Sequence, residues 1–121
     1  MTLTDKQASF TRRLASLFNL IYINYPDIKI VLSWVERSSA EQLRMVEMGV
    51  SKTLHSDHLK KLAADLIIFD GDQPNWDLQE YEKIGKLAKQ VGIKWGGDWA
   101  MRDGCHFYFD EKFNDPITLD I

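Results

Sequence analysis

The stretch Ser56-Asp57-His58-Leu59-Lys60-Lys61-Leu62-Ala63-Ala64-Asp65-Leu66-Ile67-Ile68-Phe69 decides how this chain is read. Its second half is an apolar run too short for a comfortable helix and closed by Asp70-Gly71, the pattern of a buried strand followed by a turn. Asp65 sits inside that run. Burying an ionised carboxylate between Ala64 and Leu66 costs on the order of several kcal/mol unless a cation or a hydrogen-bond donor faces it. The strand therefore calls for a partner. His58, upstream of Asp65, lies too far along the chain to share a helical turn with it, but can fold back beside the strand. A second oddity lies toward the C-terminus, where Asp103-Gly104-Cys105-His106 leads into Phe107-Tyr108-Phe109. His58, Asp65 and His106 together would offer two imidazoles and one carboxylate to a single divalent ion. With a fourth position left for water, that is the donor count of a catalytic rather than a structural zinc site.

The pattern Ser-x-His-x6-Asp, followed after a helix by Trp-Gly-Gly and Asp-x-x-His, resembles the zinc D-alanyl-D-alanine peptidase family. Its members include the carboxypeptidases of vancomycin-resistant bacteria and the L-alanyl-D-glutamate endopeptidases of phage lysins. The matching residues are Ser56, His58, Asp65, Trp95-Gly96-Gly97, Asp103 and His106, with Arg37 and Gln42 matching an upstream Arg-x4-Gln element. The resemblance runs from about Phe10 to Phe109. Lys61 departs from it, standing where many members carry glycine, and Lys61-Leu62-Ala63-Ala64-Asp65 is closer to the small phage members.

The resemblance implies one zinc ion per chain held by His58, Asp65 and His106, with Asp103 as general base. It also implies that Arg37, Gln42 and Ser56 bind substrate, Arg37 through a planar guanidinium suited to paired oxygen contacts. The implied fold is that of the Hedgehog and D-alanyl-D-alanine peptidases: α+β, a small, mainly antiparallel sheet with helices packed on one side. The implied activity is hydrolysis of the peptidoglycan stem peptide at L-alanyl-D-glutamate, as a phage endolysin does. D-alanyl-D-alanine carboxypeptidase activity stands beside it, because the groove rather than the ligands decides the bond. A catalytically silent, metal-stabilised wall-binding module is the alternative from another class.

The 121 residues are one domain's worth, read as a single zinc peptidase domain over 1–121. A composition 45% hydrophobic and 27% charged is ordinary for a globular protein and excludes disordered and collagen-like classes. A net charge of −3 with scattered basic residues argues against nucleic acid as a partner, Arg12-Arg13 notwithstanding. The lone Cys105 cannot form an internal disulfide. No signal-peptide pattern opens the chain and no apolar run is long enough to span a bilayer. The expectation is a monomer made in the host bacterial cytoplasm that reaches the periplasmic wall through a membrane lesion. Without an appended wall-binding repeat, it suits a thin Gram-negative wall.

Along the chain, Thr4 and Gln7 read as a capping box opening a helix whose Phe10, Leu14, Leu17, Phe18 and Ile21 share one face. The helix should stop before Pro26. Arg12 and Arg13 read as a solvated pair off the apolar stripe. Residues 28–35 alternate as a strand, Ser38 or Ser39 caps a short helix carrying Gln42, and residues 49–57 read as a loop. His55 is a rival ligand through His55-x-x-His58, but that choice would leave Asp65 without a counter-charge. Asp77 and Glu80 open a further helix with Leu78, Tyr81, Ile84, Leu87, Ala88 and Val91 as its core stripe, stopped by Gly92. Ile93 to Trp95 starts a strand, Gly96-Gly97 permits backbone that a side chain would forbid, and Trp99 reads either as lining a groove or as core, the commoner place for a tryptophan. Asp103-Gly104 turns the chain into a last strand, Cys105 to Phe109, on which Cys105 should face away from His106.

Overall fold

Thr2 starts the first helix. Its hydroxyl accepts from the Asp5 amide and its own amide donates to the Asp5 carboxylate, both at 3.1 Å. This reciprocal box sits two residues before the one expected from Thr4 and Gln7, and it satisfies donors the helix cannot pair internally. In the computed structural model, which describes residues 1–33 and 61–114, helix α1 spans Leu3–Asn24. It stops short of Pro26 as proline sterics require. Strand β1 (Lys29–Leu32), β2 (Ala63–Asp70) and β3 (Gln73–Asn75) follow. Then come α2 (Leu78–Gln90), β4 (Ile93–Trp95), a 3-10 turn over Gly96–Asp98 and β5 (His106–Phe109).

All the strand pairings among the described residues are antiparallel, in the order β1-β2-β5-β4 with β3 also paired to β2. The fold is α+β, as expected. Alternation along β2 sends Ala64, Leu66 and Ile68 into one core with Phe107 and Phe109 of β5 and Ile93 and Trp95 of β4. Both helices pack on that same core, α1 through Phe10, Leu14, Leu17 and Ile21, and α2 through Tyr81, Ile84 and Ala88. The helix stripes read from spacing are therefore the buried ones. Strand β1 is shorter and more exposed than residues 28–35 suggested. Val31 and Leu32 are exposed, and Ile28 and Ile30 pack against the core from its margin. Trp34 and Val35 lie outside the described residues.

Tyr81 is buried and joins three elements, donating its hydroxyl to the Asn75 carbonyl at 2.7 Å and accepting from the Ile68 amide at 3.0 Å. Asp77 caps α2 by accepting from the Gln79 amide. At the other end Gly92 takes φ +81°, the left-handed stop that favours glycine.

Arg13 corrects the sequence reading. It is 4% exposed, not solvated. Position 13 is three residues after Phe10 and four before Leu17, which is on the apolar stripe rather than off it. Its Nη1 donates to the carbonyls of Gly92 and Asp110, both at 2.8 Å, and its Nη2 to that of Phe113 at 3.3 Å. The guanidinium also lies 4.1 Å from the Phe109 ring centroid. A buried cation is tolerated here because backbone oxygens and ring faces replace its water.

Removing that guanidinium takes a donor from three carbonyls in or near the core, of which that of Gly92 keeps the Asp110 amide. Arg13→Ala is expected to cost about 2–4 kcal/mol of stability. Arg13→Lys should recover only part, since an ammonium cannot fork to the same oxygens. Urea denaturation with an unchanged slope measures both, and a loss below about 0.5 kcal/mol would contradict the assignment.

Candidate active site

The face of the sheet turned away from the helices carries the chemistry. Asp65 is flanked along β2 by Ala64 and Leu66, both core residues, so the pleat turns its carboxylate to the other face. Register places Asp65 opposite His106 of β5. Phe107 and Phe109 enter the core, so His106 and Tyr108 share the face of Asp65. His106 Nδ1 lies 3.4 Å from Asp65 Oδ1, with only 10% and 14% of the two side chains exposed. One counterpart that the apolar run demanded for Asp65 is thus His106, brought across from forty-one residues downstream by strand pairing.

On the β4 side, Trp95 pairs with Phe107, which sets Gly96 beside His106. A Cβ at Gly96 would meet the Asp103 carbonyl oxygen at 2.5 Å and the His106 Cβ at 3.1 Å. Glycine is needed there for space. Among the described residues the left-handed glycines are Gly71 and Gly92, so the expectation of unusual backbone at Gly96-Gly97 gives way to one of close packing. The Gly96 carbonyl accepts from the amides of both Trp99 and Asp103, at 3.2 and 3.0 Å. The Asp103 carbonyl in turn accepts from the His106 amide at 3.3 Å. Trp95 fastens the same loop by donating its indole N–H to the Gly104 carbonyl at 2.7 Å. Asp103 is thereby fixed on the turn that delivers His106.

Cys105 packs against the core, on the side away from His106, and its thiol donates to Asp103 Oδ1 across 3.3 Å. Burial first, then the negative charges of Asp103 and Asp65, push the thiol far above its ordinary range. Cys105 is a neutral S–H group that steadies a carboxylate rather than a nucleophile.

Trp99 and Tyr108 complete the face. The Trp99 and His106 ring centroids are 4.9 Å apart, and Tyr108 lies 5.4 Å from each of the two rings. Tyr108 was missed in the sequence, although its position two residues after His106 on one strand carried the signal.

Asp65 and His106 fit a tetrahedral ion. Two donors on such an ion, with bonds of about 2.1 Å, stand about 3.4 Å apart, and the observed separation is 3.4 Å. No cluster of three potential ligands occurs among the described residues. The third expected ligand, His58, lies outside them, as do Arg37, Gln42, Ser56 and the rival His55.

An acid and an imidazole in register on a small antiparallel sheet, with a second acid on the adjoining turn, form a layout suited to hydrolysis. The chain belongs to the D-alanyl-D-alanine carboxypeptidase family of peptidases, whose family model matches residues 49–109. It is 32% identical over 89 residues to the L-alanyl-D-glutamate peptidase of Listeria phage A118. That match takes in 70% of this chain and 32% of the phage protein, so the chain spans about a third of that relative's length. Its structure resembles the crystal structure of the L-Ala D-Glu endopeptidase ChiX of Serratia marcescens, with a TM-score of 0.70 and 26% identity. The overlap covers 83% of this chain and 77% of ChiX. No helix among the described residues is long and apolar enough to cross a membrane.

Two outcomes follow from this geometry. Gly96→Ala should lower stability by about 1–3 kcal/mol and shift the Asp103 and His106 resonances, because backbone rather than a flexible side chain must yield. Cys105 should resist alkylation at pH 8 in the folded protein and react at once on unfolding. Its raised folded pKa gives the opposite sign to a carboxylate whose pKa folding lowers. The thiol's contribution to stability is intact below the unfolded value of about 8.5 and is lost as pH rises above it. Cys105→Ala should flatten that alkaline decline in a stability profile.

Proposed function

We propose that residues 1–121 form a single, monomeric zinc-dependent peptidase domain that cuts the L-alanyl-D-glutamate bond of the peptidoglycan stem, as a phage endolysin does. The observation that carries the reading is the Asp65–His106 separation of 3.4 Å within a chain whose family is one of peptidases. The choice of bond is supported by the phage relative and by ChiX, both described as acting at L-alanyl-D-glutamate. The family description, D-alanyl-D-alanine carboxypeptidase, favours the second reading.

Asp65 and His106, with His58 as third ligand, would hold the ion. When bound, zinc supplies Lewis acidity, which polarises a peptide carbonyl and acidifies water. Asp103 takes the proton of the attacking water and hands it to the departing amine. Its Oδ1 is engaged by the Cys105 thiol, which leaves Oδ2 to carry the proton. Arg37, Gln42 and Ser56 bind the stem peptide, with Arg37 pairing the substrate's carbonyl or carboxylate oxygens.

Mass spectrometry of a muropeptide digest tests the proposal directly. The expected product pair is N-acetylmuramyl-L-alanine and a peptide beginning with D-glutamate, while release of a terminal D-alanine would select the carboxypeptidase reading. Chelation should abolish cleavage and added zinc restore it. Asp103→Ala should keep stoichiometric zinc and lose about 10²- to 10⁴-fold in kcat. His106→Ala and Asp65→Ala should lose the metal itself. Wall binding and zinc content without any product would instead identify a silent binding module.

A further inference from the structure

Trp99 is 40% exposed, yet its one polar group is not offered to solvent. The indole Nε1–H donates to the Tyr108 hydroxyl at 2.9 Å. What remains accessible is the carbon surface of the ring, beside His106 at a centroid distance of 4.9 Å and a tilt of 44°. Exposed carbon surface of this size gains nothing from water. A ring held at a fixed angle has also lost the rotamer freedom that an exposed side chain ordinarily keeps.

Three constraints hold it in that pose. Its amide donates to the Gly96 carbonyl, its N–H is tied to Tyr108, and its ring sits against the rings of both His106 and Tyr108. Tyr108 is itself set by the register of β5, opposite Ala63 of β2 and Lys94 of β4. Preorganisation of this kind lowers the ordering cost of whatever is bound next to it.

We propose that Trp99 is a substrate-positioning platform and Tyr108 the post that orients it. The indole takes the small apolar side chain flanking the bond to be cut, the alanyl methyl of a stem peptide, and so sets the carbonyl against the His106 side of the site. The proposal rests on the peptidase reading above for the identity of the substrate, and on the ring geometry alone for the existence of the platform. Contact with a methyl group is dispersive and modest, so the effect belongs in binding rather than in bond cleavage.

The test has two arms. In kinetics on the zinc-loaded protein, Trp99→Ala is expected to raise KM about three- to tenfold while kcat stays within about twofold and zinc remains at one per chain. Trp99→Phe, which keeps a ring face but lacks the N–H, should recover most of the loss. Tyr108→Phe should raise KM by a smaller factor, since it frees the ring without removing it. Loss of zinc or of kcat with KM unchanged would make Trp99 a mere prop for His106 and overturn the platform. In the second arm, a muropeptide with an intact L-alanyl-D-glutamate bond is titrated into metal-free protein labelled with ¹⁵N. The Trp99 indole N–H resonance, assigned from its absence in Trp99→Phe, should shift in wild type and shift less in Tyr108→Phe. An unmoved resonance under saturating muropeptide overturns the proposal even if the wild-type enzyme cleaves normally. A shifted one in a protein that cleaves nothing would keep the platform and sink the peptidase reading.

Discussion

The pairing register between β2 and β5 is the constraint on which the candidate site depends. It sets Asp65 opposite His106, and strand geometry then decides everything about their surroundings, because alternate side chains leave the sheet on opposite faces. A slip of one residue would set Asp65 opposite Cys105 or Phe107 and turn one of the two strands over, sending either Asp65 or His106 into the helix-packed core. That error would bury a polar group among Leu17, Ile21 and Ile84 and bring a core side chain out to the other face. The register is therefore enforced by the core and merely used by the site. Ala64, Leu66, Ile68, Phe107 and Phe109 fix it, and the bonds from the Leu66 amide to the Cys105 carbonyl and from the Phe109 amide to the Leu62 carbonyl continue it beyond the paired residues.

The loop from Gly96 to Cys105 solves a different problem, that of bringing a second carboxylate to a fixed place without a strand to carry it. Gly96 does this with its carbonyl, which takes two amides of the loop, and with its missing side chain, whose volume Asp103 occupies. Trp95, one residue earlier, reaches from the core to the Gly104 carbonyl. A short loop closed by a carbonyl at one end and an indole at the other has few alternative conformations. Proton transfer needs the acid within hydrogen-bond reach of a reacting group, so a loop of this kind would suit the role proposed for Asp103 better than a long, mobile one.

Much of this was legible beforehand. The helices announced themselves by apolar spacing, and both stop signals, Pro26 and Gly92, acted as their backbone chemistry requires. Asp65 stood out because a carboxylate in an apolar run is expensive, and His106 because it opens an apolar strand of its own, but their pairing was not legible, His58 being the residue read as folding back beside Asp65. The errors share a cause. Thr2 was passed over for Thr4 because either threonine can cap and only the helix's actual start decides between them. Arg13 was placed with the solvated residues by chemical type, although its spacing put it on the buried stripe. Its partners are backbone carbonyls of Gly92, Asp110 and Phe113, and a carbonyl leaves no mark in a sequence. Tyr108 and the space above Gly96 were hidden likewise, since each depends on which strand lies alongside.

Arg13 and Asp65 are both charges set in apolar stretches, and they are held in different ways. The Arg13 guanidinium is enclosed by three carbonyls and two aromatic rings. Its charge is permanent, so the enclosure can be permanent too. Asp65 instead faces an imidazole, a side chain that can serve as a metal ligand. A structural bond between a carboxylate and an imidazolium settles near 2.7–2.9 Å, as charge-assisted bonds do. At 3.4 Å the two groups stand farther apart than that, at the spacing of neighbours on a shared ion. The contrast lies in the fit between partners: three carbonyls and two ring faces close around the Arg13 guanidinium, whereas the Asp65–His106 spacing leaves the room that the proposed ion would take.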